Sequence, residues 1–370
     1  MIDKARLVKC FTELVAIDSP SFGERAMCDE ITARMRKIGI IPEEDTSSKE
    51  IDGTAGNLYA YIDGTLDLPP ILLSAHMDTV EPSSGKKAVL YPDGRITSDG
   101  TTVLGADDLS GIAVILEALT ALKESDKKHR PVEILFDTAE EAYCTGIQQF
   151  DFSSLHSREA YVFDLNGSAG NAAYQAPTII SFRADFFGRA AHAAFSHEKG
   201  IHAIKAAAAA IARTDCGHVG NTTVNIGTIS GGSADNVVPE HCTVTGEVRS
   251  FSDDDARVQL SEIESGIRKV AEEFGATVEF VTRTLCLAYR VDPEHSVVRR
   301  FKKACAATGL QADLHRTYGG SDNNHFVPHG INGLVVASGM YNCHSCEEYT
   351  SADELERTAK LVLALILSKE

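Results

Sequence analysis

Apolar positions recur at helical spacing over residues 5–17 and again over 24–40, and the breaker cluster Ser19, Pro20, Ser21, Phe22, Gly23 separates the two stretches. The chain therefore opens with two helices. Short runs rich in β-branched and apolar residues at 57–62, 71–75, 132–136 and 160–163 predict strands. Between the second and third lies a helical pattern over 109–122, long enough for a crossover connection. From Thr178 the texture changes to a strand (179–186), an Ala-rich helix (200–213), two strands (222–229, 242–249), a helix (254–274) and a strand (277–282). Helix–sheet texture then resumes with a helix at 295–308, an apolar strand at 333–337 and a final helix, whose start carries the capping-box spacing Ser351 to Glu354. The predicted architecture is an α/β domain, residues 1–176 and 288–370, with a mixed, mostly parallel sheet flanked by helices. An α+β domain, 177–287, interrupts it.

Composition narrows the function classes. The 370 residues are 43% apolar and 24% charged, enough for two domains of ordinary size. Thirty-five basic residues face 53 acidic ones, a net charge of −18, and no Lys/Arg-rich block appears. Nucleic acid and anionic membranes are therefore poor candidate partners. The first twenty residues carry charges throughout and lack the apolar core and cleavage site of a signal peptide, so a cytoplasmic location is expected. The most apolar stretch, 361–367, is far shorter than the ~20 residues that span a bilayer. Nine cysteines in such a chain suggest free thiols rather than a disulfide framework.

Five segments carry candidate chemistry. The strand at 71–75 runs into His76 and Asp78, which project to one face, so the Asp can orient the imidazole for a metal; taken alone the pair also reads as a polar turn. Gly105, Ala106, Asp107, Asp108 stand directly before a helix, where acids also serve as ordinary caps. The strand VEILFD leads to Glu140 and Glu141, adjacent like charges that either sit solvated on the surface or are compensated by a cation. Asp164 ends the next strand, and His344 lies between Cys343 and Cys346 after the strand at 333–337. Several strands thus deliver His or carboxylate to one sheet edge, which suits zinc, with manganese or cobalt as substitutes. A thiolate site or redox dithiol at Cys343 and Cys346 is the weaker reading, since no second Cys-x-x-Cys exists.

AHMDTV, GADDLSG, TAEE, VFDLNG and NCHSCEE occur in order, and with them the chain resembles the cocatalytic zinc aminopeptidase, carboxypeptidase and aminoacylase family, most closely its peptidase T-like branch. The resemblance extends into the inserted domain, where AHAAFSHEKGIHAI is similar to the family's lid segment and GGSADNVVPEHCTVTGEVRS to its Gly-Gly-x-x-x-Asn-x-x-Pro strand pair. It implies that His76 and Asp164 hold one zinc, Glu141 and His344 the other, and that Asp107 bridges both. It makes Glu140 the general base, Asp78 the support of His76, and Asp107–Asp108 a cis peptide. His192 in the lid would reach the partner subunit's site in a homodimer formed through that domain, and Asn236, Arg249, Gly320 and Ser321 would contact substrate. Leu109, Ala139, His197 and His202 depart from the family pattern around the pocket and lid.

The function implied is metal-dependent hydrolysis of an amide bond in short peptides, releasing an amino-terminal residue. Deacylation of an N-acylated amino acid needs the same metals and base. An inactive metal-bearing binding protein is the third reading, and it has no use for Glu140 as a base.

Overall fold

In the computed structural model, which describes residues 1–370, two apolar runs form adjacent strands, Ile71–His76 and Val132–Asp137, with every residue buried. They pair in parallel, Ile71 beside Val132 and His76 beside Asp137. Burial on both faces is why each reads as an unbroken apolar run rather than an alternation. Glu159–Asn166 adds to the other side of Ile71–His76, and Asn332–Met340 adds to Glu159–Asn166, both in parallel. Four neighbouring strands therefore end at one edge. Leu58–Ile62 joins antiparallel on one flank and Asn171–Ala176 on the other, so the sheet is mixed but parallel at its centre, as the sequence implies. The helix Ala106–Lys123 packs on Ile71–His76 and against the helices Lys4–Val15 and Ala352–Leu367, and almost all of its residues are buried.

Contact clustering divides the chain into two units. The first comprises Met1–Gln175, Arg290–Thr317 and Ser321–Glu370; the second comprises Ala176–Tyr289 and Tyr318–Gly320. The second unit is a five-stranded antiparallel sheet in the order Gly217–Val219, Thr222–Gly231, His241–Ser250, Thr178–Phe187, Thr277–Cys286. Ile180, Phe182, Ala184 and Phe186 alternate inward and pack with the helices Ala203–Ala212 and Asp253–Glu273 in one apolar cluster. Ser252 caps the second helix by accepting from the Asp255 N–H at 3.2 Å, and three aspartates occupy its first turn. Tyr318–Gly320 join this unit because the Arg249 guanidinium donates to the Tyr318 carbonyl at 2.8 Å and Gly320 lies against Ile179 and Cys286.

Several local expectations need correction. The Ala-rich helix starts at Ala203 rather than 200, because a short turn, His197–Lys199, precedes it and the His202 imidazole caps it by accepting from the Lys205 N–H. The capping box of the last helix is half made. Ser351 accepts from the Glu354 N–H at 3.2 Å, but the Glu354 carboxylate accepts from the Ala169 N–H at 2.8 Å and from Arg357 instead of turning back. A three-stranded sheet of Val89–Leu90, Arg95–Thr97 and Tyr349–Ser351 was not expected at all, since strands of two or three residues are too short to show a period.

Candidate metal centre

The four parallel strands each hand one polar segment to their shared carboxyl edge, the usual ligand side of an open α/β sheet. His76 ends the first strand, Glu140 and Glu141 follow the second, Asp164 lies near the end of the third, and His344 follows the fourth. The start of the helix Ala106–Lys123 adds Asp107, where Asp107 and Asp108 depart from helical φ/ψ and the peptide between them is cis.

The His76 Nδ1–H donates to the Asp78 carbonyl at 3.0 Å, with the Asp78 carboxylate at 3.3 Å, so Nε2 is the nitrogen presented to the cluster. It lies 3.1 Å from Asp107 Oδ1 and 4.0 Å from Asp164 Oδ1. His344 Nε2 lies 3.2 Å from Asp107 Oδ2 and 3.1 Å from Glu141 Oε1. The two oxygens of Asp107 thus face two different imidazoles. Asp78 does more than support His76. Its carboxylate accepts from the N–H groups of Glu140 (3.0 Å) and Glu141 (3.2 Å) and from the Ser21 hydroxyl (2.6 Å), clamping the paired glutamates.

The electrostatics are those of a cation site. Burial and the surrounding acids push the carboxyls of Asp108, Glu140 and Asp164 well above the usual range, and Glu141 also upward. Burial works against the charge of Asp107 too, yet its hydrogen bonds to His344 and His76 hold it well below the usual range. Donor spacing gives a second criterion. Atoms held ~2.0–2.1 Å from one tetrahedral ion lie about 3.3 Å apart, close to the spacings of His76 and of His344 from Asp107 and of His344 from Glu141. Glu141 Oε1 is buried and faces His344 Nε2 without a well-aligned hydrogen bond, as a ligand oxygen would. His76, Asp107 and Glu141 form one group able to hold a metal ion, and His76, Glu140 and Asp164 another. Imidazole and carboxylate fit two divalent ions. Neither Cys343 nor Cys346 joins a group of donor atoms close enough together to hold a metal ion.

Three supporting carboxylates were not singled out in the sequence. Glu24 accepts from the N–H groups of Phe22 (2.7 Å) and Ala139 (3.0 Å), holding Ala139 at φ 52° just before the paired glutamates. That left-handed φ is the reason glycine suits the position. Glu348 accepts from the Gly105 and Asp107 N–H groups. Asp322 is buried near Glu140 and adds to its upward shift. Glu348 had a signal, lying in the same run as His344, and so did Asp322, which directly follows Gly320 and Ser321; Glu24 reads as an ordinary acid before a helix.

The other candidate residues lie elsewhere. His192, Asn236, Arg249 and Gly320 belong to the second unit, and buried Ser321 to the first. His192 Nδ1 accepts from the Ala194 (3.1 Å) and Phe195 (3.3 Å) N–H groups, which leaves Nε2 as the donating nitrogen of the neutral ring. The Asn236 carbonyl accepts from the Ala193 N–H at 3.0 Å, so the two candidates are neighbours. The Arg249 guanidinium is engaged by Glu247 at 2.7 Å and by the Tyr318 carbonyl.

Residues 174–275 match the peptidase dimerisation domain, and residues 57–223 match peptidase family M28. An uncharacterised protein of Bacillus subtilis, YqjE, is 34% identical over 99% of both chains. The crystal structure of aminopeptidase PepT from Bacillus cereus is 34% identical, with a TM-score of 0.88 over 99% of this chain and 98% of that one. A tripeptidase from Staphylococcus aureus is 31% identical, with a TM-score of 0.93 over the same shares. With the inserted dimerisation domain and near-complete coverage in both directions, the chain belongs to the M20 metallopeptidases, in their peptidase T-like branch.

Proposed function

We propose that this chain is a dinuclear metallo-exopeptidase that hydrolyses the first amide bond of short peptides. The observation that carries this reading is the Asp107 carboxylate, whose oxygens face His76 and His344 separately, beside two adjacent glutamates on one sheet edge. His76 and Asp164 would hold one ion, His344 and Glu141 the other, and Asp107 both. Two zinc ions would lower the pKa of a shared water from 15.7 towards ~7 and polarise the scissile carbonyl.

The remaining work falls to the protein. Glu140 is half-buried within reach of His76 and Asp164, and the ligand assignment above leaves its carboxylate off both ions, which suits a group that takes the attacking water's proton and passes it to the leaving amine. Asp78 fixes the backbone of Glu140 and Glu141 together, so base and ligand keep their spacing. His192 presents Nε2–H, a donor suited to a developing oxyanion, and is assigned to the partner subunit's site in a homodimer. Asn236, Arg249, Gly320 and Ser321 are assigned to the substrate backbone and carboxylate.

A panel of free tripeptides and their N-acetylated forms tests the reading. Cleavage of the free peptides after the first residue is expected, with the acetylated forms at least ~10-fold poorer in kcat/KM, the size of one lost charged contact. Preference for the acetylated forms would make the chain a deacylase. No turnover of any amide by protein carrying two ions would leave only the binding role.

A further inference from the structure

The two metal positions are framed differently. His76 and Asp164 lie on adjacent strands of the central sheet and are held by its ladder. His344 lies on a loop. Its base is closed by hydrogen bonds exchanged between Tyr341 and Tyr349 (2.9 and 3.0 Å), whose rings stack at 4.9 Å with the Arg95 guanidinium 4.3 Å from the Tyr349 ring. Inside the loop Asn342 and His344 adopt left-handed φ of 55° and 62°, and the Glu348 N–H donates to the Ser345 carbonyl at 3.1 Å. Nothing in that base reaches Asp107.

Glu348 does. It is 1% exposed, and both its oxygens are used: Oε2 accepts from the Gly105 N–H at 2.7 Å and Oε1 from the Asp107 N–H at 2.9 Å. These donors begin the helix Ala106–Lys123, where N–H groups have no partner within the helix. What the carboxylate achieves is a bidentate tie between the loop bearing His344 and the backbone of the ligand that faces it.

We propose that Glu348 is a positioning residue acting mainly on one metal ion, the one assigned to Glu141 and His344. It holds the Asp107 backbone against the His344 loop and thereby keeps Asp107 Oδ2 and His344 Nε2 3.2 Å apart. The His76–Asp164 position shares Asp107, but its other two ligands are framed by sheet pairing, so it depends less on Glu348. This rests on the dinuclear reading above.

The test is stepwise zinc titration of the full chain against a chromophoric chelator, for wild type, Glu348→Gln and Glu348→Asp. Gln turns an amide NH2 towards an N–H and loses one acceptor, while Asp keeps the charge but falls a methylene short. Wild type should take up two ions. Either variant should weaken one ion at least ~10-fold more than the other, as ligand-orienting partners do. Chelator-treated protein should still unfold in one cooperative transition, and if Glu348→Gln fails to fold, Glu348→Asp decides by the same readout. Equal weakening of both ions, or of neither, in a variant that folds overturns the assignment to Glu348 alone. Uptake of a single ion by wild type overturns it together with the dinuclear reading.

Discussion

Glu140 and Glu141 are adjacent in sequence and share the clamp from Asp78, yet they have different parts. Only Glu141 lies 3.1 Å from an imidazole nitrogen. Glu140→Gln should therefore keep metal and fold while losing ~10²-fold or more in kcat, the low end of what general acid–base groups contribute. Glu141→Gln should lower metal affinity. Metal analysis alongside kcat checks both, and metal loss from the first variant alone would reverse the pair. Lys86, beside the start of the helix that carries Asp107, offers a pH-dependent prediction. It is 2% exposed, its ammonium donates to the Thr79 hydroxyl at 3.0 Å, and burial lowers its pKa to about 8 from 10.5. A lysine lowered in the fold keeps its proton longer in the unfolded chain, so stability rises as pH climbs from about 8 to 10.5 and the penalty is fully present below 8. In urea unfolding, wild type should gain on Lys86→Met between pH 7.5 and 9.5, assay values chosen to bracket the shift. A pH-independent difference between the two would show that the lysine is not strained by burial.

At the scale of elements, the site depends on how closely the helix Ala106–Lys123 approaches the strand Glu159–Asn166. Gly111 makes that approach possible: a Cβ there would lie 2.4 Å from Asp108 Oδ1 and 2.8 Å from the Phe163 carbonyl. In an isolated helix Gly→Ala stabilises by about 1 kcal/mol. Here the clash should dominate, and Gly111→Ala should destabilise by about 1–3 kcal/mol in chemical denaturation, with reduced metal affinity because Asp107 and Asp108 head the same helix. Ala→Gly logic fails in the same way at Ala139, where the φ of 52° is a feature of the loop rather than of the residue. Most regular elements were legible from local pattern, because the parallel strands are unbroken apolar runs and the helices of the second unit are amphipathic. The strands Val89–Leu90, Arg95–Thr97 and Tyr349–Ser351 were not, since pairing between distant short segments leaves no local pattern.

At the scale of the whole molecule, the assignment of His192 to a partner's site has a direct test. His192→Ala and Glu140→Ala, each inactive alone, are mixed under conditions of subunit exchange confirmed by mass spectrometry. In a mixed dimer the subunit bearing His192→Ala keeps its own Glu140 and receives an intact His192, so random exchange should restore about a quarter of all sites. Exchange without recovery would assign His192 to its own subunit. For the chain as a whole, sequence alone determined the α/β class with its inserted α+β domain, the order of the motifs, and residues of the types two metal ions require. These are local properties, carried by period, residue type and spacing. The tertiary structure alone decided that Asp107 presents one oxygen to each imidazole, that Asp78 clamps the Glu140–Glu141 backbone, and that Glu348 reaches Asp107 across 241 positions of chain. Such contacts join segments far apart in sequence, and a backbone N–H is common to nearly every residue. No pattern of side chains can announce which one a buried carboxylate will find.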